Sequence, residues 1–216
     1  MVRTLGPALA SAALLVAAGA SGQPEQTPFP TLPIAVTVAD QDGGAVVGDE
    51  WLDEQVRSAN EIFSPQGVTF RLIERHAMDS SHALLEDRRD RHALGHLGHP
   101  GRIDLFVVRS LRDVDDPSRY RQGVHWRPRG EAFDARAHYV IMSSIAGPTV
   151  LAHELGHYFG NAHSDTPGNI MSYERGEVPP FFDDGQRARI RAYARRFLRQ
   201  RQLIAADELS PPTESR

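Results

Sequence analysis

Apolar and polar positions follow one another along this chain in changing rhythms. Ile34 to Ala39 is a short, nearly unbroken apolar run. The turn-forming Asp40-Gln41-Asp42-Gly43-Gly44 closes it, as expected of a buried strand. The period then lengthens: Leu52, Val56, Ala59 and Phe63 recur at helical spacing. Asp49 is placed to cap that helix, and Glu50, Asp53 and Glu54 put negative charge near its positive end. Pro65 and Gly67 stop it, and Val68, Phe70 and Leu72 alternate with polar residues as a strand does. Strand, helix, strand in succession implies parallel pairing through a right-handed crossover. Ile103 to Val108 predicts a buried strand, Gly123 to Arg127 a short one, and His138 to Ser143 another. A helix is expected to begin near Pro148. A last helix should run from Asp184 to about Ile204, with Ile190, Tyr193 or Ala194, Phe197 and Ile204 as its apolar stripe beneath a coat of arginine.

Between these elements lie polar stretches. His76 to Pro100 is long and rich in histidine. It reads either as a solvated segment with a short helix around Ala83 to Asp90, or as a loop held by a structural metal on His82, His92, His96 and His99. Asp113, Asp115 and Asp116 make an oxygen-rich turn that would suit calcium or simply face water. His125 and His138 read as strand or surface residues rather than ligands. Residues 21–33 are expected to form an extended tail and 206–216 a disordered one.

Composition narrows the function. A chain of 216 residues suits one domain with a sizeable core, and a net charge of -4 gives no reason to expect nucleic acid or an anionic membrane as partner. The basic residues are all arginine, which fits a GC-rich bacterial genome. Arg3, the apolar run Ala8 to Ala20 and the small residues Ala18-Gly19-Ala20 make residues 1–20 an expected cleavable signal, too short for a membrane anchor. The mature protein is therefore expected to be soluble, secreted or periplasmic, and monomeric. With no cysteine, it has no disulfides to lean on.

The chemistry concentrates in His153 to Met171, HELGHYFGNAHSDTPGNIM. His153 and His157 stand four apart, one turn above another on one helix face, where they can grip one metal ion. Glu154 is rotated off that face and sits beside the metal as a base. Gly160 comes where the helix needs a residue that tolerates positive φ in order to turn back, and that turn can carry His163 round as a third nitrogen ligand. Three neutral imidazoles leave zinc its charge and an open position, the catalytic rather than the structural pattern.

This stretch resembles the zinc signature of the metzincin metallopeptidases, H-E-x-x-H-x-x-G-x-x-H followed by a Met-turn, with Met171 as that methionine. The short step from His163 to Met171, and Ser164 after the histidine, resemble the matrixin branch. Tyr173, two residues past the methionine, stands where astacins and serralysins carry a tyrosine that reaches the metal and matrixins carry proline. The resemblance implies an α+β catalytic domain over about residues 34–205. It would have a twisted mixed sheet, three main helices and a zinc cleft between upper and lower subdomains. It implies an exported zinc endopeptidase in which Glu154 is base and then acid, Met171 underlies the metal and Tyr173 serves the oxyanion. A peptide substrate would lie along the Gly123–Arg127 strand, with Val178 to Phe182 walling the pocket beyond the scissile bond. A zinc-binding module without catalysis and a hydrolase of non-peptide substrates are the alternatives. The absence of cysteine excludes a cysteine-switch latency; besides the catalytic zinc, a structural calcium or second zinc is a further expectation.

Overall fold

The computed structural model describes residues 29–129, 137–174 and 176–209. The expected signal segment, residues 1–20, and residues 210–216 of the expected tail lie outside them. Five strands make the main sheet: β1 (Leu32–Gln41), β3 (Phe70–Met78), β5 (Ile103–Val108), β7 (Gly123–Trp126) and β8 (Tyr139–Ser143), in the order β3-β1-β5-β8-β7. A two-residue strand, β2 (Gly44–Ala45), folds back antiparallel onto the end of β1. β3, β1, β5 and β8 run parallel, and β7 joins β8 antiparallel as an edge. Two short strands, β4 (Leu84–Leu85) and β6 (Ser110–Leu111), pair apart from this sheet. The helices are α1 (Asp49–Phe63), the short α2 (Arg88–Ala93), α3 (Val150–Tyr158) and α4 (Asp184–Arg199). This is the twisted mixed sheet with three main helices that the sequence led us to expect.

Alternation along the strands sorts the core into two layers. Ile34, Val36, Val38, Leu105 and Val107 face α1, α3 and α4, meeting Leu52, Phe63, Leu155, Phe159, Ile190 and Phe197. Ala39, Phe106, Val108 and Ile141 face the other way, onto Met78, Leu85, Leu94 and Trp126. Phe63 sits at the junction of α1 with the rest, with ring centroids 5.0 Å from Phe70 and 4.9 Å from Phe182. Each such buried ring contributes about 1.5–3 kcal/mol, so the α1–α3 side is where the fold is anchored.

Four local expectations are revised. Gly48, not Asp49, occupies the N-cap of α1; Asp49 lies in the first turn and pairs with Arg75. β1 starts at Leu32, and its end of the domain is closed by Ala206, whose N–H donates to the Thr31 carbonyl, so the packed chain extends past both expected boundaries. β3 continues through Glu74 to Met78, so His76 to Met78 belong to a strand rather than to the polar loop. Its polar run misled because one face of this edge strand is largely solvated. α4 stops at Arg199, not near Ile204. The Gln202 N–H returns to the Phe197 carbonyl at 2.9 Å and the Arg201 N–H to Leu198 at 3.1 Å, with Arg201 at φ 53°. That is a Schellman closure made without glycine, which is why the sequence did not announce it. Beyond it Leu203 is buried and bridges to Gly101. Among the described residues no helix is long and apolar enough to cross a membrane.

Candidate metal centre and cleft

α3 turns Leu151, Ala152 and Leu155 into the core and leaves His153 and His157 facing a cleft of about 1050 Å³. The cleft runs between β7 on one side and the segment following α3 on the other, with Gly123, His125, Asn161, Tyr173 and Pro180 among its walls. Gly160 takes φ 84° and turns the chain back, as the sequence required. A side chain there would also meet the Tyr193 ring, 2.6 Å from where a Cβ would stand. The turn delivers His163 to the other two histidines, with its Nε2 3.1 Å from Nε2 of His157. One ring nitrogen from each of His153, His157 and His163 lies within 4.8 Å of the others.

The backbone fixes the state of two of these rings. Nδ1 of His153 donates to the Ile170 carbonyl at 2.7 Å, and Nδ1 of His157 to the Asn161 carbonyl at 2.8 Å. A carbonyl accepts and cannot donate, so each ring carries its proton on Nδ1 and turns a lone pair on Nε2 toward the cleft. Burial and the neighbouring imidazoles hold His157 down to about 4, keeping it neutral, and burial also lowers His163. Neutral, converging Nε2 atoms are the donor set that zinc takes, so the residues fit the ion.

Those carbonyls are themselves held. Oδ1 of Asn169 accepts the Met171 N–H at 2.9 Å, and the Asn169 side-chain amide donates to Gln186 at 2.8 Å. Gln186 closes the capping box of α4 with Asp183, so the start of that helix and the turn at Met171 are one hydrogen-bonded unit. Oδ1 of Asn161 accepts from Arg189, also on α4, at 3.0 Å. Met171 lies fully buried under α3, where a Cβ on Gly156 would stand 2.3 Å from its Sδ. Only glycine at position 156 admits it.

Glu154 is 6% exposed. Its Oε2 accepts the His125 N–H from β7 at 2.7 Å. Burial lifts its carboxyl to about 7, against the pull of that hydrogen bond and of the Arg121 charge. The close fit depends on Gly123, since a Cβ there would stand 2.6 Å from Val150 and 2.9 Å from Cγ of Glu154. Tyr173 is 70% exposed, and its hydroxyl lies 3.0 Å from Nε2 of His163. Arg121 also reaches that hydroxyl, while its guanidinium is held by Asp113 at 2.6 Å. Sequence reasoning missed Arg121, Asn161, Asn169 and Gln186. The glycine opening the GVHWR strand was the one legible sign of a close approach there.

Other candidates fall apart or move. Asp113 spends its oxygens on Arg121 and on the backbone of Asp115 and Asp116, Asp115 pairs with Arg88, and Asp116 holds Ser118. The expected calcium turn is thus three carboxylates with separate partners. His82, His92, His96 and His99 do not form one site either: among the described residues, the second group able to grip a metal is Glu74, His76 and His99. Nδ1 of His92 instead accepts from the Trp126 indole at 2.9 Å. His125 is a strand residue, half-buried in β7 at the cleft wall. His138 is buried just ahead of β8, 2.9 Å from His125, with its ring stacked 3.9 Å from Tyr158. Val178 and Pro180 line the cleft, but Phe182 is core.

Neither family profiles nor curated protein sequences match the chain. Solved structures do. Mature mirolysin from Tannerella forsythia, in complex with a cleaved peptide, superposes with a TM-score of 0.61 at 15% identity, over 86% of this chain and 100% of that one. The fold is metzincin-like. Archaemetzincin from Methanopyrus kandleri shares this metzincin fold at TM-score 0.50 and 13% identity, over 76% of this chain and 96% of that one. Metalloproteinase-II from Bacteroides fragilis does so at TM-score 0.52 and 17% identity, over 79% of this chain. The chain spans only 55% of the length of that Bacteroides protein.

Proposed function

We propose that this chain is an exported zinc-dependent endopeptidase, with His153, His157 and His163 as the metal ligands, Glu154 as general base and acid, and Tyr173 as oxyanion donor. The observation that carries the reading is the meeting of ring nitrogens from three histidines beside one buried carboxylate, in a cleft bordered by the edge strand β7. Bound zinc would supply a Lewis acid that acidifies a water and polarises a carbonyl.

The chain's own groups supply the rest. The His125 N–H holds one Glu154 oxygen, leaving Oε1 to accept the proton of the attacking water. The burial that raises this carboxyl suits it to take that proton and return it to the departing amine. The Tyr173 hydroxyl donates to the oxygen on which charge develops, a bond stronger in the transition state than in the ground state. β7 is the edge strand of the sheet and borders the cleft. Apart from the His125 N–H, which Glu154 takes, its outer backbone can receive an extended peptide as a further strand. Mirolysin, a structural neighbour, is seen in complex with a cleaved peptide, which favours a peptide as the substrate class.

The test is cleavage of a peptide library by the zinc-loaded protein, with Glu154→Ala as the control that keeps its zinc. Cleavage by the parent and none by the control is the expected result. Zinc bound in both without cleavage in either would make the chain a binding module; ester or amide hydrolysis without peptide cleavage would move it to another substrate class.

A further inference from the structure

At the sheet edge opposite the cleft, parallel register gathers a second set of donors. β1 lies between β3 and β5, and Ala35 stands level with Glu74 on one side and Asp104 on the other. Strand alternation puts His76 on the same face as Glu74. Farther along, that face is apolar, with Ala39, Met78 and Phe106; here it is acidic and basic. His99 arrives on the loop before β5.

Each of two donors is oriented by a charged neighbour. Both the backbone N–H and Nδ1–H of His99 donate to Asp104 at 2.9 Å. A carboxylate only accepts, so Nε2 is left as the basic nitrogen of that ring. Arg102 donates to Oε1 of Glu74 from Nε at 3.0 Å and from Nη2 at 2.5 Å. The other oxygen, Oε2, is turned to Nε2 of His76 at 3.3 Å. The rings of His76 and His99 stack with centroids 4.4 Å apart. One ligand atom from each of Glu74, His76 and His99 lies within 4.8 Å of the others.

We propose that Glu74, His76 and His99 form a second metal site of the zinc class, separate from the histidine triad, which ties the outer strand β3 to the loop before β5. Two imidazoles and a carboxylate, with water completing the shell, are a donor set for zinc or a neighbouring transition metal and not for calcium, which takes oxygen. His76 has a 41% exposed side chain, so its ring swings from the stack into the site at little packing cost. The Arg102 charge opposes a cation, which makes this the weaker of the two sites and the first to empty under a chelator.

The inference does not rest on the peptidase reading, and metal counting keeps the two apart. The full chain, stripped and equilibrated in zinc-buffered solution, is expected to hold about two zinc ions, and His76→Asn or His99→Gln about one each. His157→Gln should also hold about one ion, at the other site. Cleavage should survive in the first two variants and end in the third. Glu74→Gln, which keeps the Arg102 contact and the fold, should weaken the second zinc by about tenfold or more. A zinc-dependent rise in melting temperature seen in His157→Gln and absent from His157→Gln/His99→Gln would support the site. One zinc in the parent, or two in both His76→Asn and His99→Gln, overturns it.

Discussion

The triad on α3 lies beside the β7 edge of the sheet and the Glu74–His76–His99 group at the β3 edge, and they are held in opposite ways. In the triad, Nδ1 of His153 and of His157 rests on a main-chain carbonyl, at Ile170 and Asn161. In the other group the orienting partners are charged side chains, Asp104 and Arg102. Main-chain supports are neutral, and here they are buttressed by α4. They orient a ring without adding or cancelling charge beside the metal. Side-chain supports bring charges of their own: Asp104 strengthens the attraction for a cation and Arg102 opposes it. One arrangement suits an ion that must act; the other suits an ion that need only bind.

The largest effect separating the two edges should come from Glu154. Glu154→Ala is expected to lower kcat by about 10²- to 10⁴-fold with zinc content unchanged, while no change at Glu74 does so. Peptide turnover with metal analysis on the same samples checks it. Next, Tyr173→Phe should keep zinc and stability and lose about 10²-fold in kcat, the scale of one oxyanion donor. Unaltered turnover would return Tyr173 to the role of a surface residue.

A buried histidine pair sharpens the contrast, because its ring nitrogens are turned to one another and to Gln202. His125 and His138 are pushed by burial to about 2 and about 3, so both are neutral in the fold. In the unfolded chain they take up protons around their ordinary value of 6.5. Below that pH the unfolded state binds more protons. Stability from this pair is therefore complete above about 6.5 and falls as pH drops toward 3, by at most about 1.4 kcal/mol per unit for each histidine. Urea midpoints of chelator-treated protein at falling pH should show the decline, and His138→Gln should flatten it. Equal slopes in parent and variant would count against the assignment.

The smallest effect belongs to the second cluster without metal. Glu74→Gln in zinc-free protein should cost about 1 kcal/mol or less, as for other partly solvated ion pairs. A larger loss would mean that the Arg102 pair itself, not an ion, is the tie between β3 and the following loop.

These two edges also mark what the sequence could and could not disclose. The triad is legible because its histidines lie on one segment, set by helix periodicity and one glycine turn at Gly160. The supports of the triad are not, since Ile170 and Asn161 act through carbonyls that every residue possesses. The Glu74–His76–His99 group was half visible: His99 stood out, but its partners lie in a strand that is its neighbour only once β1 has come between them. His82, His92 and His96 were nearer in sequence and wrong in space. The succession of strands along the chain was readable from apolar runs and alternation, whereas the end of α4 was not, because Arg201 does there what glycine usually does.

Gly123 has a consequence for selectivity. The strand that would receive a peptide is also the strand whose His125 N–H steadies Glu154, and no side chain at position 123 cushions one from the other. On the peptidase reading proposed above, registration of the peptide and readiness of the base are geared together. A peptide that seated badly on β7 would disturb the proton acceptor as well as its own grip. Discrimination between sequences should accordingly register in the turnover number more than in the Michaelis constant, so that poor substrates are held but not cut.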